Sequence, residues 1–190
     1  MSEPAPTDPA GHHRVVAAVF TDRVLGTRDW SAPAPVAGWT ARDVVDHLVT
    51  WLPGFLAADG VTLAAGPSVA DDPAGAWQAH AAAVQALLDD PDTAARQFTH
   101  PLAGGGALGE VIDRFYTTDV FLHTWDLARA TGQDDRLDPG YCATLLEGME
   151  PWDEILRSSG QYGPRVPVPD DADAQDRLLG FIGRDPFWKP

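Results

Sequence analysis

RFYTTDVFLHTWDLARATGQ, residues 114–133, is the segment from which the architecture of this chain can be worked out. It contains no proline, and its single glycine, Gly132, stands near its end, where glycine commonly terminates a helix. Apolar residues recur through it and just before it at the three- and four-residue spacing of one helix face. These residues are Leu108, Ile112, Phe115, Leu122 and Trp125. We therefore predict a long helix that buries this face and ends at Gly132.

Two ionisable residues, Asp119 and His123, fall on the same side of this helix. They are four residues apart, so their side chains point the same way about one turn apart. A carboxylate in apolar surroundings is costly unless it is compensated, and a bound metal ion would compensate it. The alternative is structural: Asp119 caps a helix or pairs with an arginine, and His123 is a core histidine with a hydrogen-bond partner. Both interpretations are open at this point.

A second helix is predicted from its start signal. Thr40 is a suitable N-cap, and Asp43 three residues later completes a pattern like a capping box. The apolar stripe that follows comprises Val44, Leu48, Trp51, Leu52 and Phe55. His47 borders this stripe instead of facing open water. Pro53 should bend or end the helix.

Further helices are predicted around these two. An apolar stripe runs through residues 11–28, Asp72-Pro73 is a typical helix start, and Asp138-Pro139 is another. Residues 171–181 form a short last helix, and the prolines before it make residues 162–170 extended. No segment alternates in the manner of a strand. The predicted fold is all-α, a four-helix bundle with extra C-terminal helices. Residues 1–10 are predicted to be a disordered leader, and residues 11–190 a single domain.

Charge and composition exclude several classes of partner and of site. The 13 basic and 28 acidic residues give a net charge of −15, and such a surface repels nucleic acids. No apolar run approaches a membrane span, and the N-terminus lacks the regions of a signal peptide. We therefore expect a cytoplasmic protein with neither nucleic-acid nor membrane partners; a homodimer is one assembly compatible with the sequence. The single Cys142 excludes an intramolecular disulfide and a multi-cysteine metal site, and its apolar stripe indicates an inert core thiol.

His47, Asp119 and His123 together form a candidate metal site. A transition metal needs nitrogen, oxygen or sulfur donors at about 2.0–2.3 Å. Two donors one turn apart on one helix and a third from a neighbouring helix are an economical way to supply them. Three protein ligands leave coordination positions open, which is typical of catalytic sites.

Three segments carry a resemblance to a known family: GWTARDVVDHLVTW (38–51), DVFLHTWDLARATGQD (119–134) and VPVPDDADAQDRLLGFIGRDPFW (166–188). They resemble the actinobacterial metal-binding branch of the DinB/YfiT-like superfamily, and within it the N-terminal domain of mycothiol-dependent maleylpyruvate isomerase. The resemblance implies a four-helix bundle with a divalent metal, held by one histidine and an acidic-x-x-x-His pair. His47, Asp119 and His123 match those positions. The isomerase has Glu in place of Asp119, and a C-terminal sterol-carrier-like domain that this chain is too short to contain.

The resemblance also implies a chemistry. The metal is expected to be zinc, with nickel or iron as alternatives, and mycothiol or a similar thiol is the expected cosubstrate. A metal-bound thiolate would attack an electrophilic substrate, giving thiol S-transfer or isomerisation. No catalytic acid or base can be assigned from the sequence. The alternative function is non-catalytic metal or small-ligand binding on the same bundle, because one fold supports several functions.

Other residues are weaker candidates. Asp126 is predicted either to hydrogen-bond a metal-bound histidine or to pair with Arg129 or Arg42. Trp51 and Trp125 are expected in the core, with lining of the pocket as the alternative. The remaining histidines are assigned by position: His100, beside the glycine run 104–106, as an extra pocket candidate, His12 and His13 as solvated residues of the leader, and His80 as a surface residue.

Overall fold

The computed structural model describes residues 8–100, 104–158, 160 and 162–190. The helices are α1 (Pro9–Gly26), α2 (Ala41–Ala57), α3 (Pro73–Asp89), α4 (Pro91–Ala95), α5 (Leu108–Ile112), α6 (Thr118–Thr131), α7 (Pro139–Met149), α8 (Asp153–Ser158) and α9 (Ala174–Phe181). Helix α1 contacts α3 and α6, and α2 contacts the same two helices. The main bundle is therefore a ring of α1, α3, α2 and α6 around one core, and the predicted all-α fold is confirmed.

The predicted helix starts are present. The backbone N–H of Thr40 donates to Asp43 Oδ2 at 2.7 Å, and the Thr40 hydroxyl accepts from the backbone N–H of Asp43. Asp72 and Asp138 cap α3 and α7, their side chains accepting from the backbone N–H groups of Gly75 and Tyr141, and each is followed by a proline. Helix α2 continues past Pro53 to Ala57, so the proline does not end it. Buried leucines on either side of Pro53, at positions 52 and 56, hold this last turn against the core.

The long helix predicted around Asp119 is built from three consecutive parts. Helix α5 passes into a π-helical turn, Asp113–Thr117, which passes into α6. Gly132 ends α6 with φ +67°, a left-handed conformation that glycine adopts without strain. The prediction of one buried face was too narrow, because residues 120–128 are buried on every side of α6. Both α1 and α2 pack against this helix, and the C-terminal residues cover the rest of it.

A small hairpin is present that the sequence pattern did not predict. Strands β1 (Gln97–His100) and β2 (Gly104–Ala107) pair antiparallel, with Gln97 opposite Ala107 and His100 opposite Gly104. Strand β2 is three glycines and an alanine, so it has no side-chain alternation from which a strand could be predicted. The residues that join the two strands lie outside the described part of the chain.

The N-terminal boundary and two histidine assignments need correction. Asp8 caps α1, which begins at Pro9, so residues 9 and 10 belong to the helix and not to a leader; residues 1–7 lie outside the described residues. His12 and His13 are buried, with 8% and 1% of their surface exposed. They are buried because the earlier helix start turns them inward: His12 Nδ1 lies 2.6 Å from an oxygen of Asp113.

His80 was also predicted wrongly. It is 5% exposed and lies inside the bundle, with its ring centroid 5.5 Å from that of Tyr116. His80 lies three residues after Trp77 and four before Val84, so it shares a helix face with these two buried residues and enters the core with them.

The C-terminal part forms a smaller layer in which α7 packs on α9. Residues 163–169 are not helical, which agrees with their prolines, and Val166 N–H donates to the Gly180 carbonyl at 2.9 Å. Cys142 on α7 is fully buried, and this burial raises the pKa of its thiol to about 12. The predicted core position is therefore confirmed, and a thiol with a raised pKa holds little thiolate at neutral pH. Among the described helices, none combines the length and the apolar character that crossing a membrane requires.

Candidate metal centre

The three predicted ligands lie together where α2 faces α6. His47 Nε2 is 3.0 Å from Asp119 Oδ2, and His123 Nε2 is 3.5 Å from Asp119 Oδ1. One potential ligand atom from each residue lies within 4.8 Å of the other two. Helix α2 directs His47 to this point because its neighbours on the helix, Val44 and Leu48, are fully buried in the core.

The cluster is closed on one side and open on the other. The side chain of His123 is 6% exposed, whereas those of Asp119 and His47 are 25% and 32% exposed. Solvent and small molecules therefore reach the cluster from the His47 side. An ion held by these three residues would lie against buried His123 and would remain accessible to solvent.

Asp126 fixes the orientation of His123. It is fully buried, and its Oδ2 lies 2.8 Å from His123 Nδ1. Arg184 Nε donates to Asp126 Oδ1 at 3.0 Å, and Arg184 Nη2 donates to Asp126 Oδ2 at 3.1 Å. Of the two sequence predictions for Asp126, the hydrogen bond to His123 is present. Its arginine partner is Arg184, not Arg129 or Arg42.

This arrangement settles which nitrogen of His123 faces the cluster. An ionised carboxylate only accepts hydrogen bonds, so Nδ1 carries the proton that points to Asp126. Burial alone would raise the pKa of Asp126, but His123 and Arg184 outweigh it and lower that pKa. In the neutral ring, Nε2 therefore presents a lone pair toward Asp119. Such a carboxylate–histidine pair is the usual support of a metal-binding imidazole.

The residues fit a divalent transition ion. In neutral His123, the Nε2 lone pair faces a carboxylate oxygen 3.5 Å away, and two electron-rich atoms in this position need a cation or a proton between them. Burial lowers the pKa of His123, but the carboxylates of Asp119 and Asp126 outweigh it and raise that pKa. Two imidazole nitrogens and one carboxylate oxygen suit zinc, iron or nickel.

Tryptophans surround the cluster. Trp51 Nε1 donates to Asp119 Oδ2 at 3.0 Å, so Trp51 contacts the cluster directly, whereas Trp125 is fully buried in the core. Trp39 stacks on His123, with ring centroids 5.7 Å apart and an angle of 19° between the planes. Trp39 had no sequence signal, because it precedes the capped start of α2 and so has no place in a helical stripe.

Two further residues near the cluster had no sequence signal. Burial raises the pKa of Tyr162, and the charge of Asp119 raises it further, so this phenol lies within electrostatic reach of the cluster. Arg184 is the other, since an arginine after the last helix gives no hint of its partner. His100, the extra pocket candidate, lies against Phe55 of α2, with ring centroids 4.4 Å apart.

Fold and cluster together define a class of protein: helical bundles with a two-histidine, one-carboxylate cluster at the interface of two helices. The chain belongs to the family described as the mycothiol maleylpyruvate isomerase N-terminal domain, whose model matches residues 12–128. This DinB-like family is the one that the sequence resembles. All three candidate ligands lie inside the matched region, and Arg184 lies outside it.

Relatives cover a larger share of the chain. The Mycobacterium tuberculosis proteins "Uncharacterized protein MT0763", of strain CDC 1551 / Oshkosh, and "Uncharacterized protein Rv0738", of strain ATCC 25618 / H37Rv, are each 31% identical over 183 residues. The similarity spans 93% of this chain and 98% of each relative. No solved structure matches the chain.

Proposed function

We propose that this protein binds one divalent transition ion, zinc in the first instance, and uses it in a thiol-dependent reaction with mycothiol or a similar small thiol. The observation that supports the proposal best is the convergence of His47, Asp119 and His123 within 4.8 Å. In addition, His123 Nδ1 is hydrogen-bonded to Asp126. Membership of a family named for a mycothiol-dependent isomerase supports mycothiol or a similar thiol as the cosubstrate.

The roles of the residues follow from their positions. His47 Nε2, His123 Nε2 and a carboxylate oxygen of Asp119 hold the ion, and Asp126 keeps the His123 ring in the ligating tautomer. Trp51 Nε1 donates to the same Asp119 oxygen that His47 approaches, which restrains the carboxylate. When bound, the ion lowers the pKa of a coordinated thiol, so that thiolate is available at neutral pH.

The reaction proposed is attack of the thiolate on an electrophilic carbon of a second substrate. The thiol proton leaves to water on the open side of the cluster, and a carbon–sulfur bond forms. In S-transfer a leaving group departs with the electron pair of its bond to that carbon. In isomerisation the sulfur adds to a double bond, the adduct rotates, and the carbon–sulfur bond breaks again to restore the double bond.

The ion is tested first. Wild-type protein and the His123→Ala variant are purified without a histidine tag, reconstituted with zinc, desalted and analysed for metal content. We expect about one zinc per wild-type chain and little in the variant, because two remaining ligands make a far weaker site. The control is Asp46→Asn, which removes an exposed carboxylate beside His47 and should retain the metal. Equal content in wild type and His123→Ala, or none in wild type, would refute the metal site.

Turnover is tested next on the zinc-loaded protein, with mycothiol and an electrophile such as 1-chloro-2,4-dinitrobenzene. Thiol-dependent product that disappears in His123→Ala supports the enzyme. Metal binding with no thiol-dependent turnover of any electrophile supports instead the alternative of a non-catalytic metal-binding protein.

A further inference from the structure

A row of aromatic rings leads away from the candidate metal centre along α2. His47, Trp51 and Phe55 follow one another at four-residue intervals, so their side chains line one face of this helix. The centroids of His47 and Trp51 are 6.4 Å apart, and those of Trp51 and Phe55 are 5.7 Å apart. Each ring contacts the next, from the cluster toward the C-terminus of α2.

The row continues beyond α2 at both ends. Near the cluster, the Trp39 centroid lies 5.1 Å from that of His47. At the far end, the Phe55 ring lies 4.4 Å from His100 of the hairpin and 6.0 Å from Phe115 of the π-helical turn. We call this set the ring row: Trp39, His47, Trp51, Phe55, His100 and Phe115.

Every member of the ring row is half-buried. In this respect the row differs from the core aromatics Trp77, Phe98 and Trp125, which are fully buried. The rings of Trp39, Trp51, Phe55 and Phe115 pack against the core with part of their surface and leave the remainder accessible. Small-molecule sites are lined mainly by apolar and aromatic side chains and carry a few polar groups at one place. Here the polar groups are those of the metal cluster.

The charges around the row argue against an anionic ligand. Arg184, the cation beside the cluster, is already bound by Asp126 through two hydrogen bonds. Arg114 lies over the Phe115 ring, 4.7 Å from its centroid, but it is exposed to solvent and sits at the far end of the row. The whole chain carries a net charge of −15, which repels anions over a longer range.

The length of the row sets the size of the ligand. Eight residues separate His47 from Phe55, which corresponds to about 12 Å along a helix, enough for a molecule of two fused rings with a reactive carbon near the cluster. Flat ring faces favour flat partners, since offset and edge-on arrangements of rings add to the gain from burial. We infer that the ring row binds an uncharged, planar aromatic or conjugated molecule, and that this molecule is the electrophile of the proposed thiol reaction. The second half of this inference rests on the proposed function.

Binding is measured with unreactive probes in the absence of thiol. Calorimetric titration compares 2-naphthol, which is planar and uncharged, with decahydro-2-naphthol, which is saturated, and with 2-naphthoate, which is anionic. We expect 2-naphthol to bind at least tenfold more tightly than either of the others. Equal or tighter binding of 2-naphthoate or of decahydro-2-naphthol would overturn the inference.

Two variants locate the binding site. Phe55→Leu and Phe115→Leu remove a ring but keep apolar bulk, and circular dichroism checks that each remains folded. Each should weaken 2-naphthol binding at least fivefold. The control is Phe187→Leu, which removes a ring that is 59% exposed and lies outside the row; its binding should stay within twofold of wild type. Unchanged binding in both row variants would contradict the inference.

The experiment also separates this inference from the proposed function. The titration is run on chelator-treated protein as well as on zinc-loaded protein, because the rings bind without help from the metal. If 2-naphthol binds to both forms but no thiol-dependent turnover is found, the proposed thiol function is refuted and ligand binding by the ring row is supported. If zinc binds and 2-naphthol does not, ligand binding by the ring row is refuted, whereas the metal site is not. Sedimentation that shows a dimer which excludes 2-naphthol would assign the row to a second copy of the chain and overturn the inference.

Discussion

At the scale of the residue, His123 is defined by what acts on each of its two ring nitrogens. Asp126 accepts the hydrogen on Nδ1, and Asp119 lies opposite Nε2. The four-residue spacing of Asp119 and His123 was visible in the sequence and predicted that they share a helix face. Which nitrogen points to the cluster depends on Asp126 and on Arg184, which binds Asp126, and those contacts are set by packing and not by spacing.

Residue-scale prediction was weakest for the other histidines. His13 and His80 are buried, yet the sequence indicated a solvated leader and a surface position. An imidazole is common both in interiors and on surfaces, so its residue type does not decide between them. The Nε2 atoms of both rings are buried and lack hydrogen-bond partners among the described residues. Such burial disfavours the protonated imidazole and therefore affects the stability of the protein in acid.

Burial lowers the pKa of His80 from 6.5 to about 4, so the folded protein should lose stability in mild acid. The unfolded chain binds a proton near pH 6.5 and the folded protein does so only near pH 4, and stability therefore falls as the pH drops through this window. Between pH 7 and pH 5 the loss from His80 amounts to roughly 2 kcal/mol in the free energy of unfolding. Urea unfolding at the two pH values measures it.

The variant His80→Leu provides the comparison for that measurement. Leucine does not titrate, so the stability difference between pH 7 and pH 5 should shrink by most of this amount. The exposed Asp46→Asn variant should leave the difference unchanged. An unaltered pH dependence in His80→Leu would show that His80 does not carry the acid sensitivity.

At the scale of the element, helix ends were predicted well because their signals are local. The Thr40–Asp43 capping box and the Asp-Pro starts of α3 and α7 depend on residues within one turn. The hairpin failed for the opposite reason, since β2 is almost all glycine and its pairing with β1 is tertiary. The π-helical turn before α6 also has no recognised sequence signature, although such turns often occur at functional sites.

Gly132 and Gly148 offer a matched pair of substitutions at this scale. A Cβ added at either position meets no atom within 4 Å, but Gly132 has φ +67° whereas Gly148 has ordinary helical geometry inside α7. Gly132→Ala should lower the free energy of unfolding by about 1 kcal/mol, because alanine is strained in the left-handed region. Gly148→Ala should raise it by about 0.5–1 kcal/mol, because alanine favours the helix.

Denaturant unfolding of the two variants against wild type measures both changes. The opposite signs are the informative result, since a similar effect of both substitutions would mean that lost flexibility, not backbone geometry, sets the stability at these positions. Metal content should remain the same in both variants, because neither glycine contacts the cluster.

At the scale of the whole molecule, the cluster depends on parts of the chain that are far apart in sequence. Its three candidate ligands come from α2 and α6 within the family match at residues 12–128. Arg184, which binds Asp126, comes after the last helix, and Arg129 Nη2 donates to the Pro186 carbonyl in the same tail at 2.7 Å. The C-terminal residues thus pack against the back of α6. Periodicity and spacing describe single elements, so this long-range contact could not be predicted from the sequence.

Arg184 is therefore expected to affect both stability and metal affinity. The variant Arg184→Met keeps most of the side-chain bulk but leaves the buried Asp126 with His123 as its remaining charged partner. Breaking a buried ion pair on one side costs about 3 kcal/mol. Zinc affinity should fall about 10- to 100-fold, as is typical when the residue supporting a metal-binding histidine is disturbed. Chelator competition measures the affinity and urea unfolding the stability.

Controls separate a positioning role of Arg184 from a general loss of structure. Arg184→Lys restores a cation next to Asp126 and should recover part of the affinity, while Arg136→Met, which removes an exposed pair with Asp173, should leave affinity and stability close to wild type. The visible absorption of cobalt-substituted protein reports ligand geometry directly and should change in Arg184→Met but not in Arg136→Met. Normal zinc affinity and an unchanged cobalt spectrum in a destabilised Arg184→Met would mean that the tail only stabilises the fold, because an arginine that orients His123 through Asp126 must alter the ligand field when it is removed.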